Sequence, residues 1–210
     1  MMRRRVLMAV LSMSALSLAG RVGAEPPAPS ILVVGDSLSA EYGLARNEGW
    51  VARITQRLGD GGHPHTMHNS SISGDTTSGG LSRLSGELDR LRPGIVILEL
   101  GSNDALRGLP LSMTRSNLAR MIALSQAAGA QVLLLGMQIP PNYGPQYARE
   151  FAALYRELAD DMGTALVPFL LEGFATRHEW FQDDGIHPNA HGQAAMADTI
   201  WAALEPLLKS

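Results

Sequence analysis

Ser37 stands just past an apolar, β-branched run, Ile31-Leu32-Val33-Val34, in the turn Gly35-Asp36-Ser37-Leu38. A tight turn from strand into helix exposes a serine hydroxyl, the first requirement for nucleophilic attack. The nucleophile also needs a base to take its proton and a carboxylate to hold that base's tautomer. Asp184 and His187 lie three residues apart in Asp183-Asp184-Gly185-Ile186-His187-Pro188. That spacing lets Asp184 accept from one ring nitrogen while the other faces Ser37. A tetrahedral oxyanion needs donors of its own. The candidates are the backbone N–H groups of Ser37 and Gly74 and the side-chain amide of Asn103.

Each piece has a plainer reading. Gly-Asp-Ser-Leu also suits a Ser-capped turn, Asn103 a left-handed turn position, and Gly74 any turn glycine. Asp184 also suits a cap before a helix that begins near Pro188. What favours chemistry is that four separate segments each supply a residue with a different, required role. Two other classes remain open. A dinuclear metallophosphoesterase also uses Gly-Asp and Gly-x-Asn-Asp segments, but needs more His and Asp ligands than these segments hold. A non-catalytic binding protein on the same scaffold needs no complete site.

Composition narrows the field further. The 210 residues include no Cys, which removes thiol nucleophiles, disulfides, thiolate zinc sites and iron–sulfur clusters. The formal charge is −3. Arg3, Arg4 and Arg5, the apolar stretch 6–20 and then Val22-Gly23-Ala24 read as a signal peptide cleaved near Ala24. An uncleaved anchor is the alternative, although the stretch is short for a span of about 20 residues. No Cys follows it, so lipoprotein processing is excluded. Loss of four Arg leaves 13 basic against 20 acidic side chains, a charge of −7. The expected mature protein is periplasmic or secreted, has no integral anchor, repels nucleic acid and needs no more than a monomer.

The elements that must position these residues alternate along the chain. A Pro-rich leader, 25–30, precedes a single domain, 31–210. Strands are expected at 31–34, 65–72, 95–98, 132–135 and 165–167. Helices are expected where apolar residues recur at three and four: 50–58, 81–91, 118–125, 147–162 and 194–208. Pro93-Gly94 and Gly129 mark helix ends. Such alternation implies a parallel sheet covered on both faces, an α/β three-layer sandwich. Sites in such sheets lie beyond the carboxyl ends of the strands, where all four chemistry-bearing segments fall.

At these residues the sequence resembles the SGNH, or GDSL, hydrolase superfamily. Its Ser, Gly, Asn and His blocks correspond to Ser37, Gly74, Asn103 and His187, and its Asp-x-x-His motif places Asp184. Within it the chain is most similar to the bacterial periplasmic thioesterase I/lysophospholipase and arylesterase group. Supporting stretches are 35–44, 69–77, 140–144 and 182–189. The resemblance implies a flavodoxin-like five-stranded sheet of order 2-1-3-4-5. It also implies hydrolysis of small-molecule acyl esters and thioesters through an acyl-enzyme, without cofactor or metal; acetyl-esterases of sugars or peptides are the alternative within it. The group's acyl-binding loop falls on Met137, Ile139, Pro140 and Tyr143. Ser102 departs from the usual Gly before the Asn, which puts the approach to Asn103 in question.

Other features have plainer accounts. His63, His65 and His68 lie close together, but the absence of a nearby carboxylate and the intervening Pro64 favour a partly exposed strand over a metal site. His178 and His191 read as surface residues. Asp36 and Asp75 read as turn stabilisers, and Trp180 as packing for the His loop.

Overall fold

The computed structural model describes residues 28–209, so the expected signal peptide lies outside the described residues, as does 25–27 of the leader. Five strands alternate with six α-helices: β1 (Ser30–Gly35), α1 (Trp50–Asp60), β2 (Thr66–Asn69), α2 (Thr77–Leu91), β3 (Ile95–Glu99), α3 (Ser102–Leu106), α4 (Leu111–Ala127), β4 (Gln131–Leu135), α5 (Pro145–Met162), β5 (Ala165–Val167) and α6 (Ala190–Leu204). All neighbours pair in parallel, in the order β2-β1-β3-β4-β5. Order reverses between β1 and β3, which makes their carboxyl ends the topological switch point.

The three central strands are apolar because both of their faces are covered. Every residue of β1 and β3 is buried. Helices α1 and α6 pack together on one side, and α2, α4 and α5 on the other. Trp50, Val51, Ile54 and Leu58 of α1 and Met196, Ile200 and Leu204 of α6 are buried at helical spacing. Strand β2, at the edge, is polar and half-exposed; it covers only Thr66–Asn69 of the expected 65–72, with His68 its one histidine.

Differences from the sequence expectations have local causes. Strand β1 starts at Ser30, whose hydroxyl bonds to the Leu91 carbonyl. Helix α2 ends at Leu91, as expected, with Arg92 left-handed (φ 45°) before Pro93, but it begins at Thr77, four residues ahead of its leucine stripe, because Thr76 caps it by accepting from Gly79 N–H. Helix α3 has no counterpart in the sequence reading: five residues are too few to show a period. It exists because Gly101, at φ 120°, turns the chain from β3 straight into a helix. Helix α6 begins at Ala190, four residues earlier than its apolar stripe, because Asn189 caps it by accepting from His191 and Gly192 N–H. A 3₁₀ turn, Glu205–Lys209, replaces its expected last turn.

Beyond β4 the chain passes through Gly136, whose N–H bonds to Val167 O at 2.7 Å. A methyl there would lie 2.4 Å from the Pro168 carbonyl oxygen, a backbone atom with no rotamer to escape into. Gly136→Ala should therefore destabilise the protein by about 1–3 kcal/mol. Thermal unfolding followed by circular dichroism would show the fall in Tm; an unchanged Tm would mean that the β4–β5 ends are not packed this tightly.

Candidate active site

Four loops leaving the carboxyl edge of the sheet bring the expected residues together. The turn after β1 carries Ser37. Its shape is set by Asp36, whose Oδ1 accepts from Leu38 N–H at 3.0 Å and whose carbonyl accepts from Ser39 and Ala40 N–H. Gly35 has no room for a side chain, since a methyl would lie 2.7 Å from Ser39 Oγ and 2.9 Å from Glu99 Oε2.

Residues 150 apart in sequence then meet: His187 Nε2 lies 2.9 Å from Ser37 Oγ. The other ring nitrogen, Nδ1, lies 2.6 Å from Asp184 Oδ2. A carboxylate only accepts, so Nδ1 carries the hydrogen and Nε2 is free to accept from the serine hydroxyl. Asp184 Oδ1 meanwhile accepts from Ile186 and His187 N–H at 2.8 and 2.9 Å. Desolvation works to raise the Asp184 pKa. The His187 backbone and side-chain bonds, the Ile186 bond and the His187 charge together outweigh it and hold Asp184 at about 2. It is therefore ionised at neutral pH.

The loop that carries this pair is tied to the nucleophile's loop. Gln182 Nε2 donates to the Tyr42 carbonyl at 2.8 Å, and the Tyr42 ring lies against His187 with centroids 4.4 Å apart. Asn189 N–H bonds to Trp180 O, and Trp180 packs on Phe174, so Trp180 does hold the His loop. His178 and His191 are exposed.

Of the three expected oxyanion donors, two are open. Among the described residues no protein acceptor takes the N–H of Ser37 or of Gly74. Gly74 adopts φ 79°, a left-handed conformation that explains why this position is glycine. Asn103 differs: its Nδ2 is already 2.9 Å from Asp36 Oδ2 and 2.9 Å from the Asp75 carbonyl. Both partners are acceptors, which identifies that end of the amide as nitrogen. To serve an oxyanion as well, it must share a hydrogen between two acceptors. Ser102, the departure from the family pattern, places a buried hydroxyl without a partner next to it.

The turn carboxylates do what their positions suggest, and more. Asp75 pairs with Arg83 at 2.9 Å and accepts from Thr76 N–H. Asp36 also holds Asn103, a link between two loops that spacing alone does not show. Asp104 and Glu99 are fully buried and were not singled out by spacing. Asp104 takes Thr77 N–H and Oγ1, joining α3 to the start of α2. Glu99 had one visible signal, a lone charge ending an apolar strand.

On the expected acyl loop, Met137 and Ile139 are packed into the core, while Pro140 and Tyr143 are exposed. Exposed Tyr42, Ile72 and Ile186 stand on the other loops of the same edge. A shallow depression beside the triad is lined by Tyr42, Gly43, Gln182, Asp183 and Asp184. The three clustered histidines do not converge: His63 and His65 rings are 6.4 Å apart and His63 turns its edge to Trp201. Among the described residues no three His, Asp or Glu side chains form a ligand set for a metal ion.

Residues 33–195 match the sequence model of the GDSL-like Lipase/Acylhydrolase family. Over 181 residues the chain is 48% identical to "Esterase TesA" of Pseudomonas aeruginosa, covering 86% of this chain and 90% of that one. It is 38% identical to "Thioesterase 1/protease 1/lysophospholipase L1" of Escherichia coli strain K12, covering 86% of each. Its fold superimposes on a crystal structure of TesA with a TM-score of 0.82 at 47% identity, covering 85% of this chain and 99% of the other. With a serine, a histidine and an aspartate joined at the switch point of such a sheet, the chain belongs to the GDSL-like lipase/acylhydrolase family.

Proposed function

We propose that this serine hydrolase cleaves acyl esters and thioesters through an acyl-enzyme on Ser37, with His187 as base and Asp184 as its orienting partner. The observation that carries this reading is the unbroken chain Asp184 Oδ2–His187 Nδ1, His187 Nε2–Ser37 Oγ, at 2.6 and 2.9 Å. The chemistry follows from the donors and acceptors. Ser37 Oγ attacks the acyl carbon as its proton passes to Nε2, and the carbonyl oxygen becomes an oxyanion facing the Ser37 and Gly74 N–H groups and Asn103 Nδ2. The proton on Nε2 then goes to the departing alkoxide or thiolate. A water, deprotonated in the same way, releases the acid and restores the serine.

Substrate preference follows from what the edge presents. Pro140 and Tyr143, with Tyr42, Ile72 and Ile186 on neighbouring loops, offer apolar contact to an alkyl or aryl acyl group. Met137 and Ile139 support that loop from beneath. Export of the mature domain after cleavage near Ala24 is supported by the basic, apolar and small-residue order of positions 3–24.

Ser37→Ala should lower kcat on a short p-nitrophenyl ester by about 10⁵–10⁶-fold while the protein stays folded. A fluorophosphonate should label the wild type at Ser37 and leave the variant unlabelled. Retained turnover in the variant would sink the assignment, and failure of the wild type to label would favour a binding protein. Asp184→Asn loses control of the imidazole tautomer and should cost about 10³–10⁴-fold in kcat with KM little changed. A loss confined to KM would place Asp184 in substrate binding instead.

A further inference from the structure

Two carboxyl groups lie beneath the nucleophile's turn. Glu99 is 0% exposed and Asp36 1%, and the pairing of Gly35 with Glu99 sets them side by side at the strand ends. Glu99 Oε2 is fully engaged: it accepts from Ser39 Oγ at 2.7 Å and from Asp36 N–H at 3.2 Å. Ser39 Oγ in turn accepts from the Trp50 indole N–H at 3.2 Å. Glu99 Oε1, by contrast, is buried and meets no donor. Among the described residues no Lys, Arg or His forms an ion pair with Glu99.

The Asp36 N–H bond to Glu99 Oε2 and the pairing of Gly35 with Glu99 nevertheless hold these two buried carboxyl groups next to each other. Two adjacent buried carboxylates are both acceptors and repel; without a cation beside them the arrangement is stable only when one keeps its proton. The other titratable groups that act here give Glu99 no counter-charge. His187 acts on Asp36 from the final loop, while Tyr155 on α5 and Asp104 on α3 bring no positive charge. Asp36 is the member whose charge has employment: Oδ1 holds Leu38 N–H and Oδ2 holds Asn103 Nδ2.

We propose that Glu99 is a positioning residue that works as an uncharged carboxylic acid, donating a hydrogen bond to Asp36 so that the charge kept on Asp36 fixes the Asn103 amide and the Ser37 turn. The proposal rests on the roles given above to Ser37 and Asn103. Burial agrees with it. Desolvation, then the neighbouring Asp36 charge, pushes Glu99 well above the usual carboxylate range. Desolvation raises Asp36 to about 6, with the Leu38, Glu99 and Asn103 bonds and the His187 charge pulling the other way. The protons belong to the pair and leave in two steps.

A buried acid of this kind leaves a mark on stability. The unfolded chain releases the Glu99 proton near pH 4.3, whereas the fold retains it. Its contribution is therefore fullest below about pH 4.3 and declines as pH climbs toward the raised folded value. Glutamine at 99 places a carbonyl where Oε2 accepts and an NH₂ where Oε1 would carry its proton, and it releases nothing. The Tm of Glu99→Gln relative to wild type should therefore rise steadily between about pH 5 and 8. The infrared carbonyl band of a protonated carboxyl, present in the wild type at neutral pH, should lose intensity in this variant. Glu99→Ala should lower kcat about 100-fold with KM little changed, and Glu99→Gln should recover most of that loss. A Tm difference flat or falling with pH, no loss of the infrared band, or a Gln variant as impaired as the Ala variant would each overturn the proposal. So would a Gln variant that fails to fold, because it is the isostere of the protonated acid. The Tm slope and the infrared band do not depend on turnover, so they separate this inference from the assignment of the reaction.

Discussion

The pairing of β1 with β3 is the constraint on which the site depends. Ile31 opposite Ile95 and Gly35 opposite Glu99 fix where each strand stops. A slip of one residue would turn both apolar runs over and send every buried side chain to the opposite face. In the observed register the turn that bears Ser37 and the turn that bears Asn103 leave the sheet side by side. Beta2 adds Gly74 from the other flank, with Ile72 N–H bonded to Gly35 O at 3.0 Å. Three of the four functional segments are thus placed by backbone ladders, which do not depend on the identity of exposed side chains.

Three carboxylates near one serine behave differently because their surroundings differ. Asp184 is half-open to water and receives two backbone N–H groups and an imidazole N–H, so its charge is well stabilised. Asp36 is buried but still finds two donors. Glu99 is buried deeper and has donors for one oxygen only. The same functional group therefore runs from firmly ionised to poorly ionised across the site. Proximity to Ser37 does not set this order; the supply of donors does.

Much of this was legible in the sequence. Strands β1, β3 and β4 announce themselves as apolar runs because burial on both faces leaves no choice of residue type. Ser37, Gly74, Asn103, Asp184 and His187 stand out because each ends an element in a segment otherwise built of turn residues. What was not legible lies between elements. Helix α3 is shorter than a period can reveal, and its existence turns on the left-handed Gly101. The commitment of Asn103 Nδ2 to Asp36 and Asp75 joins three loops, and no spacing along the chain encodes it. Glu99 reads locally as the end of a strand, and only the cross-strand partner shows that it lies under the active site. Met137 and Ile139 share the polar loop's neighbourhood in sequence yet point into the core, a distinction made by the path after Gly136.

The two halves of the proposed catalytic machinery are built from different material. Ser37, Gly74 and Asn103 sit at the ends of strands or on the turns that leave them. Asp184 and His187 hang on the stretch from 168 to 189, which holds no helix or strand longer than one 3₁₀ segment, His178–Trp180, and a single antiparallel bridge between Phe181 and Pro188. That stretch is fastened near its start, where Leu170 N–H meets Gly136 O, and at its end, where Gln182 holds the Tyr42 carbonyl of the neighbouring loop and Asn189 holds the Glu179 carbonyl of the stretch itself. Between those fastenings, residues 183–186 are exposed and bonded mostly to one another. Local opening there costs less than melting the sheet. On gentle warming His187 would swing away from Ser37 while the sheet stays folded, and cooling would restore the contact.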